Sequence, residues 1–340
     1  MKINLLEIIN KYRFLLILLG FCLLIASIFI YYLITDQNFN WQTTISHDPG
    51  PMSRRLLDGK LVPAEFSALR PIGVVLENHI ESRPTAGLEF ASIIYETIVE
   101  GDITRFLAIF DGQVQVKKIG PVRSVRPFFV EIAQEWNPVL FHAGGSLEAL
   151  NQLKGSSVRN INEISADGIY FWRDKDRDMP HNLFTSTDLI KRAIEAKEIE
   201  MAADFLPWLF KKDEPIGDQN AVLEIEVNFS VNPLYQVKYI YNLEKNDYTR
   251  YLANKVHKTE RGIVLKAKNI IIQHVDYDII DSYGRLDINL KSGGEAEIYL
   301  DGKKIDGYWK KTKGKTRFFN QNKEEIRLNS GTTWIELMFD

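Results

Sequence analysis

Cysteine is nearly absent from the sequence: there is one in 340 residues, Cys22, and it lies inside an apolar segment near the N-terminus. The rest of the chain therefore has no disulfide, no thiolate metal ligand and no cysteine nucleophile. An excess of basic charge is absent too, because 42 Lys and Arg residues stand against 45 Asp and Glu residues, for a net charge of -3. Without a basic field there is no electrostatic basis for binding nucleic acid, and no nucleic-acid partner is predicted.

A long hydrophobic run is present near the N-terminus. Residues 14–34 read FLLILLGFCLLIASIFIYYLI and contain no charged residue, no proline and no amide side chain. At about 1.5 Å per residue, a helix of this length spans roughly 30 Å, which is the thickness of the hydrocarbon core of a bilayer. We therefore predict one transmembrane helix over residues 14–34.

The charges that flank this segment predict its orientation. Lys2, Lys11 and Arg13 precede it, and the next Lys or Arg is Arg54. Because cytoplasmic flanks carry the excess of Lys and Arg, residues 1–13 are predicted to be a cytoplasmic tail and the bulk of the chain to be extracytoplasmic, held at the cell membrane by a single pass. A cleaved signal peptide would have a shorter apolar stretch. A lipoprotein signal needs a small residue before its cysteine, where this chain has phenylalanine.

Three further segments follow the apolar run. Residues 35–69 are polar and rich in turn residues, which predicts an extracytoplasmic linker. Over residues 70–214, apolar runs of strand length alternate with amphipathic helical patterns and predict a mixed α/β domain. Short β-type runs separated by turns fill residues 222–340 and predict a smaller, mainly antiparallel β domain. The predicted fold class is therefore α+β with one N-terminal transmembrane helix.

Strongly polar and reactive side chains concentrate between positions 77 and 182, almost all at the ends of predicted strands. Binding groups on mixed sheets gather where strands end and loops begin. The candidate ligand-binding residues are Glu77, Glu96, Glu100, Arg105, Arg123, Ser124, Arg126, His142, Gly144, Gly145, Ser146, Arg173, His181 and Asn182.

Several segments resemble one known family. Residues 120–127 (GPVRSVRP), 142–146 (HAGGS), 306–310 (DGYWK) and 328–335 (LNSGTTWI) are similar to segments of the YerB-like family of bacterial envelope proteins. The resemblance covers about residues 70–338 and implies an N-terminal α/β unit followed by a smaller β domain. It implies no established activity. Many members are described as lipoproteins, so the transmembrane segment of this chain is a different attachment on the same side of the membrane.

The arginines carry the first functional hypothesis. A guanidinium matches a carboxylate or a phosphate with two parallel hydrogen bonds. Arg105, Arg123 and Arg126 therefore predict an anion site. The alternative is a buried network in which these arginines pair with the candidate glutamates, because a buried carboxylate needs a partner as much as a ligand does. The sequence leaves both alternatives open.

The histidines and the serine carry weaker hypotheses. His142 and His181 could each act as a general base or a metal ligand, or be hydrogen-bonded to backbone near a strand end. No His-x-x-x-His spacing and no Asp-rich loop occurs, so no metal site and no cofactor is predicted. Ser146 follows Gly144 and Gly145 without the Gly-x-Ser-x-Gly pattern of a hydrolase. It is predicted to cap a helix whose first amides could hold an anion.

The predicted function is to bind an anionic cell-envelope ligand in a pocket lined by arginine and histidine, in a membrane-anchored protein of uncharacterised activity. One alternative is an envelope enzyme acting on a phosphorylated lipid-linked glycopolymer, by architectural analogy with the LytR-CpsA-Psr ligases. Another is a scaffold that docks cell-wall synthesis proteins. Clustered polar residues favour ligand binding or catalysis, whereas a pocket without unpaired charge would favour the scaffold.

Overall fold

The computed structural model describes residues 19–20, 22–27, 50–215, 221–282 and 284–339. Residues 1–50 and residues 51–340 are two separate compact units. The predicted transmembrane segment, residues 14–34, lies for the most part outside the described residues. Within the described ranges, no helix is long and apolar enough to cross a membrane.

Strands and short helices make up the unit that begins at Pro51. In chain order the strands are β1 (Met52–Arg54), β2 (Leu61–Pro63), β3 (Ile72–Glu77), β4 (Ile93–Ile98), β5 (Thr104–Phe110), β6 (Val139–His142), β7 (Arg159–Asn162), β8 (Trp172–Arg173), β9 (Leu183–Phe184), β10 (Phe210–Lys211), β11 (Glu224–Asn228), β12 (Gln236–Asn242), β13 (Asp247–Leu252), β14 (Lys255–Val256), β15 (Lys266–Ala267), β16 (Asn269–Val275), β17 (Tyr277–Ile279), β18 (Leu286–Ile288), β19 (Gly294–Leu300), β20 (Lys303–Thr312), β21 (Lys315–Asn320), β22 (Leu328–Asn329) and β23 (Thr333–Phe339). The α-helices are α1 (Pro127–Trp136), α2 (Leu147–Lys154) and α3 (Thr187–Ala196), and the 3-10 helices are Ala64–Phe66, Ile80–Ser82, Leu88–Phe90, Ala166–Tyr170 and Pro233–Tyr235.

One mixed sheet runs through most of this unit. Its order is β21-β20-β19-β16-β23-β4-β5-β3-β6-β7. The strand β23 lies between β16 and β4 and is parallel to both. Strands from the two predicted domains therefore belong to one sheet. The predicted boundary near residue 215 adjoins residues 216–220, which lie outside the described residues.

Burial follows the apolar patterns of the sequence. The strands β3, β4 and β5 are buried at every position, as expected for central strands covered on both faces. By contrast, β12 alternates between buried and half-buried residues, because it lies in a smaller antiparallel sheet with β11 and β13. Trp136, Trp309 and Trp334 are among the largest fully buried side chains. They come from α1, β20 and β23, so the apolar core extends across both halves of the chain.

The ends of α1 and the start of α2 have clear local causes. Pro127 is the first residue of α1, where its missing N–H would have no helical partner. The helix ends before Asn137, whose φ of 43° is left-handed, a conformation that asparagine tolerates at a helix end. The Ser146 side chain accepts a hydrogen bond from the Ala149 N–H at the start of α2. The predicted serine cap is confirmed.

The start of the folded unit corrects the predicted linker over residues 35–69. Leu57 and Asp58 are buried, with 2% and 1% of their surfaces exposed. The Asp58 carboxylate accepts hydrogen bonds from the Arg55 guanidinium at 2.6 Å and from the Ser92 hydroxyl at 2.8 Å. The buried Leu57 side chain and the hydrogen-bonded Asp58 carboxylate hold this stretch against the core. The folded unit therefore begins at Pro51 rather than at residue 70.

Candidate functional site

Three chain segments meet at the C-terminal end of β3. The loop before α1 is hydrogen-bonded to β3 through the Arg123 N–H and the Val75 oxygen, at 2.9 Å. The hairpin of β8 and β9 is joined to the same loop through the Val122 N–H and the Leu183 oxygen, at 2.7 Å. These backbone contacts bring side chains from the end of β3, from the loop and from the hairpin within reach of one another.

Glu77, the last residue of β3, contacts two other candidate residues. Its Oε1 lies 3.0 Å from Arg123 Nε, and its Oε2 lies 2.9 Å from His181 Nδ1. The Glu77 side chain is only 4% exposed, and a carboxylate that is removed from water requires such partners. The structure thus brings together three residues that the sequence separates by as many as 104 positions.

Arg105 and Arg126 share a second carboxylate, that of Glu100. Arg126 Nε donates to Glu100 Oε1 at 2.6 Å, and Arg105 Nη2 lies 3.7 Å from Glu100 Oε2. Arg105 Nη1 also donates to the backbone oxygen of Ser124 at 2.9 Å. The Ser124 hydroxyl in turn donates to the backbone oxygen of Ala143 at 2.8 Å. Ser124 therefore links these arginines to the end of β6.

We call Glu77, Glu100, Arg105, Arg123 and Arg126 the arginine cluster. Three guanidiniums face two carboxylates, so the cluster carries one unbalanced positive charge. Burial, and then the neighbouring charge of Arg126, lower the pKa of Arg105 to about 9. The side chains of Arg105 and Arg126 are 8% and 14% exposed, whereas that of Arg123 is 27% exposed. Arg123 is therefore the guanidinium of this cluster that solvent reaches most easily.

His142 is fully buried at the end of β6. Its Nδ1 lies 2.8 Å from the Gly144 oxygen, and its Nε2 lies 3.2 Å from Asn160 Oδ1. Burial lowers the pKa of His142, which favours the uncharged ring. An uncharged ring has one N–H. With that N–H on Nδ1, His142 donates to backbone near a strand end, which is the alternative that the sequence left open, and Nε2 faces the side-chain amide of Asn160.

Gly144, Gly145 and Ser146 connect β6 to α2. The Gly144 N–H donates to Asn162 Oδ1 at 2.8 Å. The Ser146 hydroxyl oxygen accepts from the Ala149 N–H at 3.2 Å and so caps the helix. The Gly144 amide and the Ser146 hydroxyl are therefore engaged within the fold, beside the arginine cluster.

Arg173 and Asn182 hold the two sides of the β8–β9 hairpin together. Arg173 Nη1 donates to Asn182 Oδ1 at 3.0 Å, and Arg173 Nη2 donates to Glu163 Oε1 at 3.0 Å. Asn182 Nδ2 donates to the backbone oxygens of Asp174 and Arg177, each at 3.2 Å. These contacts position the loop that carries the histidine facing Glu77.

Comparisons with known proteins match nearly all of the folded part. The family described as "Protein of unknown function (DUF3048) N-terminal domain" matches residues 57–200, and its C-terminal domain matches residues 225–335. The chain is 34% identical over 287 residues to "Putative lipoprotein YerB" of Bacillus subtilis (strain 168), a match that covers 84% of this chain and 86% of that protein. The chain belongs to the YerB-like family. A crystal structure of the YerB protein from Bacillus subtilis shares this fold, with a TM-score of 0.77 and 33% identity over 84% of this chain and 96% of that one.

Glu96 lies outside the arginine cluster and instead joins the two YerB-like domains. Its Oε1 accepts from the Thr104 hydroxyl at 2.6 Å, and its Oε2 accepts from Arg250 Nη2. Arg250 also donates, through Nη1, to Glu336 Oε1 at 2.9 Å. The side chains of Glu96, Arg250 and Glu336 are fully buried. This Glu96–Arg250–Glu336 network, rather than a ligand site, is where the structure places Glu96.

The charges of this network are unequal in number. Glu96 and Glu336 lie opposite each other on the paired strands β4 and β23, where like charges repel. The single guanidinium of Arg250 pairs with both carboxyl groups. Burial, opposed by the charge of Arg250 and aided by that of Glu96, raises the pKa of Glu336 to about 8. Near neutral pH the Glu336 carboxyl therefore keeps its proton, and the network is electrically neutral. The Tyr239 hydroxyl donates to the same carboxyl.

Two residues beside the arginine cluster are not among the sequence candidates. His79 and Glu81 follow β3, and Glu81 Oε2 lies 3.1 Å from His181 Nε2 and 3.8 Å from His79 Nδ1. The rings of His79 and His181 stack with centroids 4.9 Å apart and an angle of 10° between their planes. The sequence signal for His79 and Glu81 is the run Glu-Asn-His-Ile-Glu, which starts at the last residue of β3. The spacing of histidines along the chain does not reveal the pair of His79 and His181, because the two come from distant segments.

Proposed function

We propose that this chain is an extracytoplasmic envelope protein that binds an anionic group, a phosphate or a carboxylate of an envelope ligand, at the arginine cluster. The unbalanced positive charge of the cluster carries the proposal. The position of these arginines at strand ends, where sheets present ligand sites, is consistent with it.

An anion would relieve an electrostatic cost that the arginine cluster carries by itself. The low pKa of Arg105 means that its charge is disfavoured by burial and by the guanidinium next to it. A bound anion would restore the balance, and its attraction to a guanidinium grows as water is excluded. Arg123 is the point of entry, because its side chain is the most exposed of the three and its fork can donate two parallel hydrogen bonds.

The location is proposed from the relative and from the sequence. The Bacillus subtilis relative bears the name of a lipoprotein, which supports membrane association at the cell envelope. We propose that residues 14–34 supply the attachment here as a single-pass anchor with residues 1–13 in the cytoplasm. Protease added to intact spheroplasts should then digest the mass beyond residue 35. Protection of that mass, or recovery of a mature form lacking residues 1–30, would contradict the anchor.

Anion binding can be tested with the full-length chain in detergent. Phosphate, pyrophosphate, acetate and an undecaprenyl phosphate analogue are each added in a thermal-shift assay to the wild type and to Arg123→Gln. The wild type should be stabilised by at least one anion, and Arg123→Gln should lose that response. Arg317→Gln is the matched control, because Arg317 is 14% exposed and paired with Glu325 on β21, at the far edge of the same sheet. It should respond like the wild type.

A different set of results would contradict anion binding at the arginine cluster. If Glu77 and Glu100 serve only to close the arginines within the fold, no anion will shift the wild type. Arg123→Gln will then lose about 3–5 kcal/mol of unfolding free energy, because a buried carboxylate is left without its partner. A second variant, Glu100→Gln, removes a carboxylate that competes with an incoming anion. It should bind phosphate more tightly than the wild type if the proposal is right.

A further inference from the structure

The side chains of His79, Glu81 and His181 each offer a ligand atom, and these atoms all lie within 4.8 Å of one another. They come from the residue after Asn78, from the 3-10 helix Ile80–Ser82 and from the β8–β9 hairpin. We propose that these three residues bind a divalent transition-metal ion of the Zn²⁺ type. Two imidazoles and one carboxylate are a donor set that suits such ions, and three protein ligands leave a coordination position open.

The contacts of His181 point to a cation. Its Nδ1 lies 2.9 Å from Glu77 Oε2 and its Nε2 lies 3.1 Å from Glu81 Oε2. A neutral imidazole has one N–H, so it can donate to only one of these carboxylates. When Nδ1–H donates to Glu77, the lone pair of Nε2 is directed at Glu81, 3.1 Å away. A metal ion could bind both Nε2 and the Glu81 carboxylate from this arrangement.

Glu77 has the position of an outer carboxylate in this arrangement. Histidines that bind metals commonly donate their second N–H to a carboxylate, which fixes the tautomer and the ring orientation. Glu77 makes this contact with His181, and its side chain is only 4% exposed. Glu77 is therefore a positioning residue that directs His181 Nε2 towards Glu81.

His79 has its lone pair on the side of the proposed ion. Its Nδ1 accepts a hydrogen bond from the Glu81 N–H at 3.3 Å and lies 3.8 Å from Glu81 Oε2. The hydrogen bond from the Glu81 N–H is long, so little stability is lost when the His79 lone pair binds a metal ion instead. Because an ion lies close to the plane of each imidazole that binds it, the stacked rings of His79 and His181 must rotate apart. The Glu81 side chain, 70% exposed, is free to follow.

The metal site and the arginine cluster share Glu77, which contacts His181 with one oxygen and Arg123 with the other. An anion held by Arg123 and an ion held by His181 would thus both lie beside the Glu77 carboxylate. This last step rests on the proposed anion binding, whereas metal binding does not. The two are separated by measuring metal binding in a buffer without phosphate or other oxyanions.

The experiment uses full-length chain without a polyhistidine tag, stripped of metal by a chelator and titrated with Zn²⁺ by calorimetry. Metal content after desalting is measured by mass spectrometry, and Co²⁺ substitution reports the ligands through visible absorption. We expect one ion per chain. His79→Ala and Glu81→Gln should each weaken binding at least about tenfold, and Glu77→Gln by about 10-fold to 100-fold. Glu244→Gln, on an exposed turn, is the control for the loss of a carboxylate.

Two outcomes would overturn the proposal. If the wild type does not retain stoichiometric Zn²⁺, these three residues hold no metal ion. Alternatively, Zn²⁺ is retained equally by the wild type, His79→Ala and Glu81→Gln, and the ion then binds elsewhere. His79 and Glu81 are the more exposed members of the set, so both variants should fold. Far-UV circular dichroism of each variant checks this directly.

Discussion

Replacing Glu336 with glutamine tests the charge balance of the buried network. The pKa of this carboxyl rises from an ordinary value of 4.5 to about 8 in the folded chain. Between these values the folded chain holds a proton that the unfolded chain has lost. The stability linked to this proton is therefore fully present below pH 4.5 and is lost as the pH rises towards 8. Glutamine imitates the protonated carboxyl at every pH, so the variant should not show this loss.

The size of the effect follows from the two pKa values. Each pH unit between them costs about 1.4 kcal/mol of unfolding free energy. From pH 5 to pH 7.5 the wild type should therefore lose about 3 kcal/mol relative to Glu336→Gln. Near pH 5 the two proteins should be similar in stability, because the glutamine oxygen can still accept the hydrogen bonds from Arg250 and Tyr239 that the carboxyl accepts.

The assay is urea unfolding of the full-length chain, followed by tryptophan fluorescence at several pH values between 5 and 8. The other titrating groups are the same in both proteins, so their contribution to the pH dependence of the unfolding free energy cancels in the difference between the two. Glu244→Gln, on an exposed turn, controls for replacing a carboxyl by an amide. If the curves of wild type and Glu336→Gln run parallel across this range, Glu336 is ionised in the folded chain, and the argument for a neutral network is refuted.

Three further predictions follow from the fold. Arg250→Met should lose about 3–5 kcal/mol of unfolding free energy, because Glu96 is left buried without a counter-charge; a loss below about 1 kcal/mol in urea unfolding would contradict this. Gly307→Ala should lose about 1–3 kcal/mol in the same assay, because an added Cβ would lie 2.1 Å from the Phe319 oxygen on the adjacent strand; unchanged stability would show that the two strands separate easily. Limited trypsin digestion should cut between residues 205 and 222 and give two fragments that co-elute in gel filtration, since β23 pairs with strands from both sides of the cut; fragments that separate would argue for independent domains.

The strands β3 and β5 could be predicted from the sequence because each contains five apolar residues in a row, Ile72–Leu76 and Phe106–Phe110. The run Ile72–Leu76 lies within β3 (Ile72–Glu77), and the run Thr104–Phe110 coincides with β5. A strand covered on both faces has apolar residues at successive positions, and the polar residues of these two strands, Glu77, Thr104 and Arg105, stand at their ends. The polar residues that follow such strands were also identifiable, and the structure brings Glu77 together with Arg123 and His181.

Partners from distant parts of the chain could not be predicted. Arg250 lies in β13 in phase with the buried Tyr248 and Leu252, and the local sequence does not show which carboxylates accept its charge there. It is buried because Glu96 and Glu336 come together on β4 and β23, a pairing that no local pattern encodes. For the same reason the glutamate belonging to Arg250 could not be told apart from those of the arginine cluster. The position of His79 beside His181 likewise depends on tertiary contacts.

The position of β23 has a consequence for biosynthesis. Its residues, Thr333–Phe339, fill the gap between β16 and β4 in the interior of the sheet. During translation, β4 and β16 emerge long before this strand, and until it arrives each keeps an unpaired edge that can associate with other chains. A chain released before residue 333 would keep both edges permanently. We therefore expect shortened products that lack β23 to aggregate and to be digested by proteases more readily than the full chain.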